Sequence, residues 1–172
     1  MHSRIFLIGF MGSGKSTIGA RLASKLGYSH VDMDQLIEET AYMSVPGIFS
    51  ELGEAVFRKW EQDILNELCQ REKIVVSTGG GAPCHNNLIE IMNRHGATVY
   101  IRLDPEVLQE RLLKSRTERP LIKGKSPVQL LEYIREKLKE REPFYLKATY
   151  VVNGTSLKTD ELASLLKFQD SG

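Results

Sequence analysis

Cysteine is scarce in this sequence: Cys69 and Cys84 are the only two in 172 residues, which gives neither a disulfide framework nor a thiolate zinc spacing. Both read as free thiols of a reducing cytosol, and the four histidines are scattered along the chain. An excess of one charge is also missing. Twenty-three Lys and Arg stand against 22 Asp and Glu, a formal net charge of +1, so composition gives no reason to expect a nucleic-acid or membrane surface. No long hydrophobic run occurs. The first apolar stretch, Ile5-Phe6-Leu7-Ile8, is as long as one strand, so neither a signal peptide nor a membrane span is expected. Internal repeats, linkers and low-complexity segments are lacking too. What remains is a chain with 41% hydrophobic residues, enough for the core of one soluble domain that is expected to be cytoplasmic and to act as a monomer.

Directly after that first apolar run comes Gly9-Phe10-Met11-Gly12-Ser13-Gly14-Lys15-Ser16, a match to G-x-x-x-x-G-K-[ST] between a strand-like and a helical pattern. The chemistry of such a loop is binding of a phosphate chain. Glycines let successive backbone N–H groups turn inward, the following helix presents its positive end, Lys15 reaches the terminal phosphates and Ser16 offers a hydroxyl to Mg²⁺. Gly12, Ser13, Gly14, Lys15, Ser16 and Thr17 are the candidate nucleotide contacts.

Further along, strands and helices alternate. Ile18, Leu22 and Leu26 recur every four residues on a helix that Gly27 can end. A short strand over Tyr28 to Val31 delivers Asp32 and Asp34, which share one side if the chain stays extended. Residues 35–71 read as helical, broken near Val45-Pro46-Gly47 and at Gly53, with Val56, Trp60, Ile64 and Leu68 expected as the buried stripe and Arg58 and Glu61 paired on the other face. A third strand over 73–77 runs into Thr78-Gly79-Gly80-Gly81, and three successive glycines suggest that a ligand or another backbone passes very close. A helix near 86–94, a fourth strand over 98–103 and a helix opened by Asp104-Pro105 follow. Residues 111–125 carry six basic side chains against one acid, which reads as a basic flap. Ser126-Pro127 opens a helix with Leu131, Ile134 and Leu138 on one face, and a fifth strand over 148–152 and a closing helix over 158–168 complete the chain. The pattern is a three-layer α/β domain built for a nucleoside triphosphate.

A second substrate needs its own groups. Asp34 is placed to accept or orient the proton of an attacking hydroxyl, and Asp32 to hold a Mg²⁺ hydration shell; their plainer reading is a helix N-cap and a first-turn dipole partner. Arg58 and Arg141 suit bidentate contact with a carboxylate or phosphate, or are solvated helix arginines. The flap reads either as a lid that brings an arginine onto the γ-phosphate or as a solvated loop. Phe49 and Phe57 are core residues or a pocket wall.

Taken together and in order, the P-loop, Asp32-Met33-Asp34, Phe57-Arg58-Lys59-Trp60-Glu61, Ser77-Thr78-Gly79-Gly80-Gly81, Arg119-Pro120-Leu121 and Arg141-Glu142-Pro143-Phe144-Tyr145 closely resemble the shikimate kinases over nearly the whole chain. The resemblance implies transfer of the ATP γ-phosphate to the 3-hydroxyl of shikimate in aromatic amino-acid biosynthesis. It also implies a nucleoside-monophosphate-kinase-like sheet ordered 2-3-1-4-5, with a substrate-binding subdomain at about 33–61 and a lid at about 112–125. In the pattern of that family Asp34 is the base candidate and binds ring hydroxyls, Arg58 and Arg141 grip the carboxylate, and Glu61 holds Arg58. The Gly79, Gly80 and Gly81 backbone approaches the ring, Phe49 and Phe57 border it, and Arg119 contacts the transferring phosphate. Arg116 and Asn153 fall to the adenine, and Ser16 and Asp32 to Mg²⁺. Two rivals remain: a small kinase for a sugar acid or a nucleotide, which has no need of the glycine triplet with both arginines, and a nucleotide switch, which calls for an N-K-x-D motif that the sequence does not contain.

Overall fold

The computed structural model describes residues 2–117 and 119–168; the flap residue Glu118 and the last four residues lie outside them. Alternation along each strand decides the layers. In β1 (Arg4–Ile8) Phe6 and Ile8 face one side and Ile5 and Leu7 the other, and all four are fully buried. Such a strand is apolar on both faces and belongs in the middle of a parallel sheet. It pairs in parallel with β3 (Ile74–Ser77) and β4 (Ala97–Arg102); β2 (Ser29–Asp32) lies outside β3 and β5 (Tyr150–Asn153) outside β4. The order is β2-β3-β1-β4-β5, as the resemblance implies.

One face of the sheet packs on α1 (Lys15–Leu26) and α8 (Thr159–Phe168) through Leu22, Leu162 and Leu166. The other packs on α4 (Glu54–Leu68), α5 (Leu88–His95), α6 (Pro105–Lys114) and α7 (Pro127–Tyr145) through Leu65, Met92, Leu108 and Ile134. A small third cluster, Ile37, Ile48 and Phe57, ties α4 to α2 (Met33–Ala41) and α3 (Val45–Glu51). That cluster is the core of the segment expected to bind the acceptor.

Three details depart from the sequence reading. The break in the second helical stretch comes at Tyr42, in the left-handed conformation with φ 52°, so Pro46 and Gly47 open α3 instead of interrupting a helix. Pro belongs in a first helical turn, where its missing N–H costs nothing. In α4 the buried face is Phe57, Glu61, Leu65 and Leu68, while Val56, Trp60 and Ile64 are half-buried. The helix is covered from two sides, by the sheet layer and by α2–α3, and this turns its inward face by about one residue. Glu61 is thereby buried, not on an outer face. In α7 Leu130 rather than Leu131 joins Ile134 and Leu138 in the core.

The carboxyl ends of β1, β2 and β3 come together at one edge, where ligands bind in open α/β sheets. Position at that edge is locked from below. The Ser77 hydroxyl donates to the Lys15 carbonyl and sits 2.9 Å from His30 Nε2. Gly19 is required at this point because a Cβ there would come within 2.5 Å of Ser77 Oγ and 2.6 Å of His30 Nε2. The first turn of α1 is therefore fixed against β2 and β3, and the phosphate loop with it.

Candidate active site

Gly12 and Gly14 take φ of 79° and 90°, left-handed values that side chains resist, and they curl the loop so that α1 begins at Lys15. The N–H groups of that first turn lack intrahelical partners. Lys15 folds back over the loop and donates to the carbonyls of Gly9 at 2.8 Å and Phe10 at 3.0 Å. Burial pushes its ammonium down to about 8 despite the attraction of Asp34 and Asp32, and the repulsion of Arg119 and Arg141 adds to the fall. A buried lysine with two arginines in electrostatic range is a place built for anions. Ser13 is buried, and Ser16 and Thr17 are exposed at the mouth.

After Asp32 the chain does not stay extended: it turns into α2 at Met33. Asp32 Oδ1 accepts from the Gln35 N–H at 3.2 Å as an N-cap, while Oδ2 accepts from the Ser16 hydroxyl. A hydroxyl and a carboxylate, both hard oxygen ligands, thus stand together at the exit of the phosphate loop, a donor pair that suits Mg²⁺ held chiefly by phosphates. The capping and metal readings of Asp32 are compatible. Asp34, in the first turn of α2, points the other way, toward Gly79. Burial raises its pKa, Asp32 raises it further, and Lys15 pulls it back.

Asp34 opens onto a cavity of about 540 Å³ walled by Val45, Pro46, Phe49, Phe57, Arg58, Glu61, Gly79, Gly80, Gly81, Arg119 and Arg141, with Met11, Ser50, Thr117, Pro120 and Leu121 completing it. Arg58 is held firmly there: Nη1 donates to both Glu61 oxygens at 3.0 and 2.7 Å, and its guanidinium lies 5.8 and 5.2 Å from the Phe49 and Phe57 ring centres. Those rings, 4.8 Å apart, serve both core and pocket. Burial lifts the Glu61 carboxyl to about 7, and the Arg58 charge and hydrogen bonds oppose the rise.

The glycine triplet serves a purpose the sequence reading only half anticipated. A Cβ on Gly79 would come within 2.7 Å of Asp34 Oδ1, one on Gly81 within 2.8 Å of Arg58 Nη2, and one on Gly80 within 3.4 Å of Arg141 Nη1. The groups that pass so near are the site's own side chains. None of the three has a left-handed φ, so clearance is what requires glycine at 79 and 81, whereas a Cβ on Gly80 would meet Arg141 only at ordinary contact distance.

The structure therefore gathers Asp34, Phe49, Phe57, Arg58, Glu61, the triplet, Arg119 and Arg141 around one cavity, with Lys15, Ser16 and Asp32 at the phosphate loop. Arg116 is exposed, and Asn153 lines a separate groove with Arg102 and Asp104, its side chain accepting from the Thr155 N–H at 2.9 Å. Neither joins the cavity. Arg111 is the residue that sequence reasoning left without a role: from α6 it donates to the Ser13 carbonyl at 3.4 Å. Only its place in the basic run marked it. No helix of the described residues is long and apolar enough to cross a membrane.

The shikimate kinase family model matches residues 11–168. The chain belongs to the shikimate kinase family. A curated shikimate kinase of Bacteroides thetaiotaomicron is 43% identical over 155 residues, 90% of this chain and 89% of that one. The 1.7 Å crystal structure of shikimate kinase from the same organism superposes with a TM-score of 0.93 at 40% identity, covering 96% of this chain and 99% of that one. Shikimate kinase from Acinetobacter baumannii in complex with shikimate gives a TM-score of 0.81 at 35% identity, covering 95% and 89% of the two chains. The chain is thus an ATP-dependent kinase of this family, with the family's fold and activity.

Proposed function

We propose that the cavity is the shikimate site and that the two halves of the reaction meet at Asp34. The observation that carries this reading is the place of Asp34: it lines the cavity together with Arg58, Arg119 and Arg141, and it lies in electrostatic range of both Lys15 on the phosphate loop and Arg58. Asp34 accepts the proton of the 3-hydroxyl as it attacks the γ-phosphorus of ATP. Its raised pKa makes it a better base than an exposed aspartate. The hydroxyl oxygen forms a bond to phosphorus as the bond to the β-phosphate oxygen breaks, giving shikimate 3-phosphate and ADP without a phosphoenzyme.

Most of the rate then comes from position and charge, since phosphoryl transfer asks little covalent chemistry of the protein. The P-loop amides and Lys15 hold the phosphate chain. Arg119 faces the transferring group; its Nε is buried without a partner among the described residues, as suits a donor that meets an anion. Ser16 and Asp32 would hold Mg²⁺, which when bound would supply charge neutralisation on the phosphates. Residues 33–61 act as the acceptor-binding subdomain and 112–125 as the lid, with Arg116 and Asn153 bordering the adenine. Both half-sites come from one chain, which fits a protein that acts as a monomer, and Cys69 and Cys84 are free thiols, which fits a reducing cytoplasm.

The test is coupled ADP production with shikimate, gluconate and nucleoside monophosphates. ADP from shikimate alone is the expected result, and ADP from either of the others but not from shikimate would overturn the assignment. Asp34→Asn is expected to lower kcat by roughly 10²–10⁴-fold while ATP still binds. Turnover like that of the unaltered enzyme would remove Asp34 as the base.

A further inference from the structure

The two arginines of the acceptor cavity are held in different ways. Arg58 has two carboxylates as partners, Glu54 and the buried Glu61. Arg141 has no carboxylate partner among the described residues. Its guanidinium instead lies 5.6 Å from the Phe10 ring centre and beside Gly80, and the phenol of Tyr145, one turn further along α7, meets that same glycine.

Tyr145 is fully buried and packs against Tyr100, with ring centres 5.0 Å apart and planes tilted by 39°. Its hydroxyl donates to the Gly80 carbonyl at 2.5 Å. A phenol has one proton to give. With that proton on Gly80, the oxygen has only lone pairs left for the neighbouring guanidinium, so it can accept from Arg141. We propose that Tyr145 is a positioning residue for the acceptor's carboxylate: its phenol ties Arg141 and the Gly80 peptide into one arrangement without neutralising the guanidinium.

The choice of a phenol has a physical reason. A carboxylate in this place would hold Arg141 more strongly but would spend its charge on an internal pair, as Glu61 does with Arg58. A neutral acceptor orients the guanidinium and leaves its full positive charge to the ligand. The same bond fixes the glycine loop. In a planar trans peptide the C=O and the following N–H point in opposite directions, so anchoring the Gly80 carbonyl on Tyr145 directs the Gly81 N–H away from the tyrosine. One oxygen thereby sets both a charged donor and a backbone donor.

The inference rests on Arg141 meeting the carboxylate, and the experiment separates the two. Tyr145→Phe keeps the ring on Tyr100 and removes only the oxygen. The expected result is a KM for shikimate raised roughly tenfold, the scale of one charge-assisted hydrogen bond, with kcat and the KM for ATP within about twofold of the starting enzyme and the melting temperature nearly unchanged. The second arm is a double-mutant cycle with Arg141→Ala. If Tyr145 works through Arg141, then adding Tyr145→Phe to Arg141→Ala raises the shikimate KM little further. Equal rises in both KM values, or a full multiplicative effect on the Arg141→Ala background, would make Tyr145 a packing residue only. A strong Arg141→Ala effect beside a silent Tyr145→Phe would remove the tyrosine's role alone, whereas an unchanged shikimate KM in Arg141→Ala would overturn the carboxylate clamp and this inference together.

Discussion

Single atoms decide much of the chemistry here. Gly79 and Gly81 each leave room for a different functional group, so the smallest substitution at each should damage a different parameter. Gly79→Ala pushes on the Asp34 carboxylate and is expected to lower kcat more than tenfold; Gly81→Ala pushes on Arg58 and is expected to raise the shikimate KM with a smaller effect on kcat. The Asp34 carboxylate can yield, so Gly79→Ala should lose less than about 1 kcal/mol, roughly 2–4 °C in Tm for a chain of this size, whereas Arg58 is tied to the buried Glu61 and Gly81→Ala should lose about 1–3 kcal/mol. Steady-state kinetics beside a thermal melt checks the pair, and a matched fall in kcat for both would refute the division. Lys15 makes a second prediction. With its ammonium at about 8 in the free enzyme, half of the molecules have lost that proton near pH 8, and phosphate oxygens favour the protonated form. Binding of ATP at pH 8.5 should therefore take up protons, and affinity should weaken as pH rises through 8. Calorimetry in two buffers of different ionisation enthalpy measures the uptake; none at pH 8.5 would show that Lys15 is already charged.

Elements, in turn, carry the site as separate pieces. The loop and α1 belong to the main core, where α1 packs on the sheet and α8, whereas Phe49, Phe57 and Arg58 hang on the small cluster of Ile37, Ile48 and Phe57. A cluster this small opens more easily than the sheet. Ile48 is fully buried in it, and truncating a buried isoleucine typically costs about 2–5 kcal/mol. Ile48→Ala is thus expected to speed amide exchange across α2 and α3 and to raise the shikimate KM, while α1 keeps its protection and the ATP KM holds. Exchange that rises evenly over α1 and the sheet would mean that the subdomain does not open on its own. The sequence reading missed how this piece packs. Period alone placed Trp60 on the inner face and Glu61 on the outer, and it had no means of knowing that α4 is covered from two directions.

The molecule as a whole closes the proposed acceptor cavity from five stretches: the phosphate loop at Met11, α2–α4, the loop after β3, the flap residues Thr117, Arg119, Pro120 and Leu121, and α7. A ligand that touches all of them holds the fold together. At a hundredfold over its Kd, shikimate should add about 2.7 kcal/mol, a rise of roughly 5–11 °C in Tm. Arg58→Ala should abolish most of that rise and leave the shift with ATP intact; a variant that loses both shifts equally would place Arg58 in the fold and not in the clamp.

The chain's local order fixed what needed only local order. The strand-loop-helix around Gly9–Ser16 is a short-range pattern, the doubly apolar β1 announces a central parallel strand, and the i,i+3 spacing of Arg58 and Glu61 brings them together on any helix. Even the glycine triplet showed that something must pass close by. The tertiary structure decided what passes there, because Asp34, Arg58 and Arg141 come from separate helices and their approach to the triplet depends on how those helices pack on the sheet. It also decided that Asp34 leaves a helix turn toward Gly79 while Asp32 caps the same helix, that Asn153 lies in a groove apart from the cavity, and that a tyrosine at the end of α7 reaches the Gly80 carbonyl. Contacts between residues 65 positions apart, as in Tyr145 and Gly80, leave no trace in periodicity or spacing. They exist only once the packing of α7 against the loop after β3 has set the distance.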